Sequence, residues 1–192
     1  NFNHFGGLTD YSFVEGVMGL FDGIGSTSKG STAELAKVLS LPVVLIVDAR
    51  GKAASLAALL KGFREHDKKL KIAGVVLNNV QTSRHKQILL EVLDQINIKS
   101  LGCLPLCKDL YLPTRHLGLA PAHEIRDLEI KVKKWASIAK DYLDIKSFRK
   151  LLLPPGPNNK TFNFSQKKES VFTYPIAIAE DQAFHFRYQE TK

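Results

Sequence analysis

Three continuous apolar runs rich in β-branched residues, each set off by helical patterns, constrain this chain more than any other feature. Pro42-Val43-Val44-Leu45-Ile46-Val47 is apolar at every position and ends at Asp48. A run apolar on both faces suits a parallel strand covered by helices, whereas a half-exposed antiparallel strand alternates. Lys71 to Leu77 repeats the pattern and ends in Asn78-Asn79, and Ser100 to Leu104 is a third run, closed by Pro105. Between them lie an Ala/Leu-rich helix, Ala53 to Phe63, and an amphipathic helix, Arg84 to Ile96, with Ser83 as its N-cap. Upstream, Tyr11 to Val14 reads as a short strand ending in Glu15-Gly16, and Ser31-Thr32-Ala33-Glu34 as a capping box opening a helix to Leu39. Downstream, His123 to Leu143 keeps a helical period around the single Trp135. Strands alternating with helices through short connections predict an α/β fold with a doubly wound, mostly parallel sheet.

After Asp144 the character changes. Leu153-Pro154-Pro155-Gly156-Pro157 cannot continue a helix and reads as a linker, and Tyr174 to Ala179 looks like the first strand of something new. A lone strand cannot bury its faces. The expected organisation is one domain over residues 1–146, a linker over 147–173 and the start of a second domain over 174–192. The first residue is not Met, so both ends are expected to be cuts from a longer protein.

Charge and cysteine content narrow the function classes. The formal net charge is +8, but six basic residues against one acid fall between Lys146 and Ser170. A solvated linker explains such a run more simply than a nucleic-acid groove, which would interleave aromatic stacking residues. No apolar run approaches the ~20 residues needed to cross a bilayer, and the N-terminus lacks a signal-peptide pattern. Cys103 and Cys107, spaced C-x3-C without a second ligand pair, read as ordinary thiols of a reducing cytoplasm.

Ligands of open α/β sheets bind beyond the carboxyl ends of the strands. Three such ends carry polar residues: Glu15, Asp48 and Asn78. Taken singly, each is as well explained by turn or capping chemistry. Gly16 to Gly30, rich in Gly, Ser and Thr and carrying Asp22, is long for a loop of a compact domain, and such loops are usually functional.

The stretch Val14-Glu15-Gly16-Val17-Met18-Gly19-Leu20-Phe21-Asp22-Gly23 is more specific. It closely resembles the V-E-G-V-M-G-L-x-D-G signature of the cobyrinate (hydrogenobyrinate) a,c-diamide synthases, relatives of dethiobiotin synthetase within the P-loop NTPase folds. Gly30 to Ala36, Val44 to Ala49, Ala73 to Val80, Ser83-Arg84-His85 and Leu112 to Leu119 resemble the family in the same order, over roughly residues 10–145. The resemblance resumes at Ile176 to Phe186, similar to the opening strand of a class I glutamine amidotransferase domain.

That resemblance implies ATP-dependent amidation of the a and c carboxylates of cobyrinate or hydrogenobyrinate through acyl phosphates, in cobalamin biosynthesis. Glutamine or ammonia would supply the nitrogen. It implies Glu15 as the Mg2+ ligand and Asp22 as a catalytic residue near the second substrate or the metal, orienting the corrin carboxylate through Mg2+ or water. Gly16, with Gly19 and Gly23, would allow close backbone approach, Asn78 would read the adenine edge, and Arg115 and His116 would contact phosphate or substrate carboxylates. Glu15, Asp22 and Asn78 are expected to open onto one cleft at the sheet edge. Asp48 is left between turn chemistry and function, and His85, in a helix's first turn, reads as structural. The resemblance also implies a cytoplasmic enzyme with no membrane or nucleic-acid partner, and leaves a homodimer open. The G-x-x-x-x-G-K-S/T loop and the glutaminase Cys and His of the family are absent from these residues, so the fragment alone is expected to be inactive. The rival readings are cobyric acid synthase or dethiobiotin synthetase, a ParA-like nucleic-acid ATPase, and a scaffold with a decayed nucleotide site.

Overall fold

A computed structural model describes Phe2, residues 9–112 and 122–152, and residues 177–179, 181 and 184 near the C-terminus. The order of elements is α1 (Thr32–Val38), β1 (Val43–Asp48), α2 (Ser55–His66), β2 (Ile72–Val80), α3 (Ser83–Gln95), β3 (Ser100–Pro105), α4 (Leu128–Tyr142) and α5 (Ile145–Leu151), with single 3-10 turns at Lys108–Leu110 and Ala122–Glu124. The three strands form one parallel sheet in the order β1-β2-β3. The fold is therefore α/β with parallel strands alternating with helices, as the apolar runs predict.

The core lies between the sheet and the α2–α3 pair. Leu45 and Val47 of β1, Val75 and Leu77 of β2 and Cys103 of β3 meet Leu56 and Leu60 of α2 and Leu89, Val92 and Leu93 of α3. These positions follow a period of two on the strands and of three to four on the helices, so each element offers one apolar stripe to a shared layer. Burial pushes the Cys103 thiol up from its ordinary pKa, as desolvation disfavours the thiolate; Cys107 is half-buried. A smaller cluster of Ala33, Ala36 and Leu70 seats α1 beside the starting ends of β1 and β2. Helices α4 and α5 pack along β3, where Gly102 bridges Leu143 and the Asp144 amide donates to the Leu101 carbonyl.

The second sheet face is less covered than a doubly apolar run implies. Val76 is buried, but Ile46 on β1 is 73% exposed, because α4 and α5 lie over at β3. Tyr11 to Val14 is exposed and joins no ladder among the described residues, so it is not a strand there. A strand needs a neighbour to satisfy its backbone donors and acceptors. The N-cap of α3 is Thr82, not Ser83: Thr82 is extended (φ −138°, ψ 162°) and its hydroxyl accepts from the His85 amide at 3.0 Å. Helix α4 begins at Leu128 rather than His123, because Asp127 sits in the left-handed region (φ 55°) and breaks the helical path. Helix α5 occupies the beginning of the segment read as linker, capped by Asp144, which accepts from the Ser147 amide. The remainder of that linker from residue 153, and all but five of residues 174–192, lie outside the described residues.

Candidate functional site

The finishing ends of β1 and β2 bring together the densest polar group on the sheet. Asp48 and Asn78 are register partners in the parallel ladder, and the Ala49 amide donates to the Asn78 carbonyl at 2.8 Å. Beyond Asn78 the chain turns sharply. Asn79 takes φ 60°, and the β2–β3 register slips between Leu77 and Val80. Such a bulge swings a side chain away from the regular alternation. Here Asn79 Nδ2 crosses to donate to Asp48 Oδ1 at 3.1 Å.

Asp48 is also held by Arg50. The Arg50 backbone amide and Nε both donate to Asp48 Oδ1 at 3.1 Å, Nε donates to Oδ2 at 2.8 Å, and Nη2 completes the fork on Oδ2. The Arg50 side-chain and backbone donors, then Asn79, hold the Asp48 carboxyl well below the usual carboxylate range. The same pair raises the Arg50 pKa. His85 anchors the following loop: its Nε2 lies 2.9 Å from the Lys52 carbonyl, and its Nδ1 accepts from the Gln81 amide. That pattern puts the proton on Nε2 and leaves His85 as a clip between the β1–α2 loop and α3, in line with the structural reading of this residue. Asn78 Oδ1 accepts from the Asn79 amide at 3.0 Å, leaving its amide NH2 without a hydrogen-bond partner among the described residues.

The Gly-rich loop is built around α1. Ser31 caps the helix by accepting from the Glu34 amide, and Glu34 reaches back to the Gly30 amide, one residue before the position a capping box predicts. Gly16 lies against Thr32, where a Cβ would come within 2.6 Å of the threonine methyl, so this position needs glycine for packing. Asp22 folds back over Gly19, its Oδ2 accepting from the Gly19 amide at 2.8 Å. Leu20 packs against the Ala33, Ala36 and Leu70 cluster, as Val43 and Ile72 do, and Phe21 stacks on Phe63 with centroids 6.0 Å apart and meets His66 at 4.4 Å. These contacts lie towards the starting ends of the strands. Glu15 is exposed.

The structure thus gathers Asp48, Arg50, Asn78 and Asn79, with His85 clipping the adjoining β1–α2 loop to α3. Among the described residues no hydrogen bond or ion pair joins Glu15 or Asp22 to them. Arg115 and His116 lie outside the described residues. Two hollows, of about 260 Å³ beside α1 and about 410 Å³ between Phe21 and α2, are also away from the strand ends. Arg50 escapes a reading of strand ends alone, and Asn79, seen there as part of the Asn78-Asn79 ending, carries no role in it; the usable signal for Arg50 is the Asp-x-Arg spacing, which lets a side chain fold back on the strand's last acid.

Residues 8–114 match the family model described as an AAA domain. The chain belongs to this AAA-domain family. Within it, the chain is similar to enzymes named cobyrinate a,c-diamide synthase. It is 41% identical over 186 residues to that of Caldanaerobacter subterraneus subsp. tengcongensis, covering 95% of this chain and 40% of the relative. With that of Synechococcus sp. it is 39% identical over 183 residues, covering 94% and 40%. The hydrogenobyrinate a,c-diamide synthase of Brucella anthropi is 41% identical over 175 residues, covering 91% and 39%. This AAA-domain chain therefore spans about two fifths of the length of the curated relatives it matches. No solved structure matches it.

Proposed function

We propose that this chain is the nucleotide-handling part of a ligase that amidates the a and c carboxylates of cobyrinate or hydrogenobyrinate, at the expense of ATP and with glutamine or ammonia as nitrogen source. The observation that carries the reading is identity of 36–41% to such synthases, sustained over at least nine-tenths of the chain. The chemistry explains the parts. A carboxylate is a poor electrophile with no leaving group, and phosphorylation supplies one, leaving the protein to position reactants and neutralise charge.

On this reading Glu15 holds Mg2+ beside the phosphates, and Asp22 serves the substrate carboxylate. The donor set fits the ion. Mg2+ takes hard oxygen ligands, commonly one or two carboxylates together with substrate phosphate, and Glu15 and Asp22 are exposed carboxylates on one loop. The ion would supply charge neutralisation. Asn78 would offer its free amide donors to the nucleotide base, and contact with phosphate or substrate carboxylates is the role proposed for Arg115 and His116. The reading further requires the loop to carry Glu15 and Asp22 towards the strand ends once nucleotide is bound. A cytoplasmic enzyme is part of the same proposal.

The test is ATP-dependent amidation by the full-length enzyme carrying Glu15→Gln. The expected loss in kcat is about a hundredfold or more, the scale of removing one group that stabilises transition-state charge. Activity near wild type would remove the metal role.

A further inference from the structure

The strand-end cluster holds a cation that the roles above do not use. We infer that Arg50 is a substrate-contacting residue that grips an oxyanion of the reacting pair, a phosphate or a substrate carboxylate, and that Asp48 is the positioning residue that aims it. The inference rests on the ligase reading, since it names what the finishing ends of β1 and β2 hold in that reaction.

Four observations converge. Asp48 ends β1 next to Asn78 at the end of β2, the sheet edge where open α/β folds take ligands. Asp48 grips Arg50 side-on, through Nε and Nη2. A guanidinium carries five donors in a planar fork, so a side-on carboxylate leaves the outer edge free. Nη1 has no hydrogen-bond partner among the described residues, and the side chain is 61% exposed. Next, Asn79 abandons regular strand geometry to add its own donor to Asp48. A left-handed, non-glycine residue costs backbone energy, and such outliers gather at functional sites. Finally, the Asn79 amide takes up the Asn78 acceptor, and the ligase reading gives the Asn78 NH2 to the base, so the Arg50 fork is the donor left at this edge for an oxyanion. A fork of donors suits an acceptor-only ligand group, and an arginine fork matches carboxylate and phosphate geometry.

A plain surface ion pair would contribute little to stability and nothing to catalysis. The two readings therefore separate by experiment in the full-length enzyme. Steady-state amidation is measured for Arg50→Ala, Asp48→Asn and the double variant, varying ATP and the corrin acid separately. Arg50→Ala is expected to stay folded, its melting temperature lowered only slightly by loss of the exposed pair with Asp48, and to lose about tenfold or more in kcat/KM, the scale of a lost hydrogen bond to a charged group. The KM that rises identifies the anion: ATP for a phosphate, the corrin acid for a carboxylate. Added guanidinium ion is expected to restore part of the Arg50→Ala activity and none of the activity of a Glu15→Gln control. Asp48→Asn should lose several-fold alone and under about twofold more in the Arg50→Ala background, because it acts through Arg50. Unchanged kinetics for Arg50→Ala beside an active wild type would overturn this inference and leave the ligase reading standing. Wild-type enzyme unable to amidate with ATP would overturn both.

Discussion

Among the described residues, three aspartates have carboxyl groups held below their ordinary pKa, each by a named neighbour. Asp48 is lowered first by the Arg50 side chain, Asp67 by Lys37 and Asp144 by the Ser147 hydroxyl. A carboxylate with a depressed folded-state pKa binds fewer protons folded than unfolded, so its contribution is complete above the unfolded value near 4. It is lost as pH falls through the lower folded value. The thermal midpoint is therefore expected to be flat with respect to these groups between about pH 5 and 8 and to decline below about pH 4. A melting series across that range checks it, and Asp48→Asn should shallow the acid-side decline. The same reasoning keeps Asp48 ionised, and Arg50 gripped, at any pH where amidation would be assayed. Reading the sequence reached Asp48 and Asn78, because a polar residue ending an apolar run is visible in one dimension. Arg50 was not visible in that way, and Asn79 was visible only as part of the same polar ending, without its role. Their part depends on a left-handed turn and a register slip, which no apolar pattern encodes.

Elements were legible where burial dictates composition. β1, β2 and β3 coincide with the apolar runs to within a few residues, and α2 and α3 with the Ala/Leu-rich and amphipathic segments. Ends were less legible: Thr82 and Ser83 are chemically equal caps, and only the extended backbone of Thr82 separates them. Tyr11 to Val14 has strand composition without a ladder, since pairing belongs to two segments and composition to one. The layered core permits a direct test. Leu60 is fully buried between α2 and the sheet, so Leu60→Ala should cost about 2–5 kcal/mol in urea unfolding, the range for a truncated core leucine. Leu59, 37% exposed one position along the same helix, should cost far less when truncated. At the other edge, Gly102 (φ 150°) lets Leu143 and the Tyr142 carbonyl close on β3, where a Cβ would come within 2.6 Å of both. Gly102→Ala should therefore loosen α4 and α5 from the sheet, seen as faster amide exchange in both helices while α2 and α3 stay protected.

At the scale of the molecule, the question is what a net charge of +8 and a pI near 9.5 do. Counted alone they suit a nucleic-acid partner, whose phosphates would be neutralised by a continuous basic face. The arrangement argues otherwise. Lys37 pairs with Asp67, Arg50 with Asp48, Arg64 and Lys68 with Glu65, and Lys134 with Asp109. The lysines of α4 share their helix with Glu129 and Asp141. Trp135 is half-buried, its indole nitrogen donating to the Asp109 carbonyl at 2.7 Å. Scattered, partly paired cations give diffuse attraction that salt removes; a built groove gives a binding constant falling with a slope of about −0.9 per phosphate neutralised. Filter retention of labelled duplex DNA should thus appear only in dilute buffer and vanish by about 150 mM salt, near the concentration where the Debye length is ~8 Å. Retention that persists there with a steep salt slope would instead favour a nucleic-acid ATPase over the ligase. The diffuse positive field has a use in the ligase case, because a corrin polyacid and a nucleotide are both anionic and both would be drawn in by it.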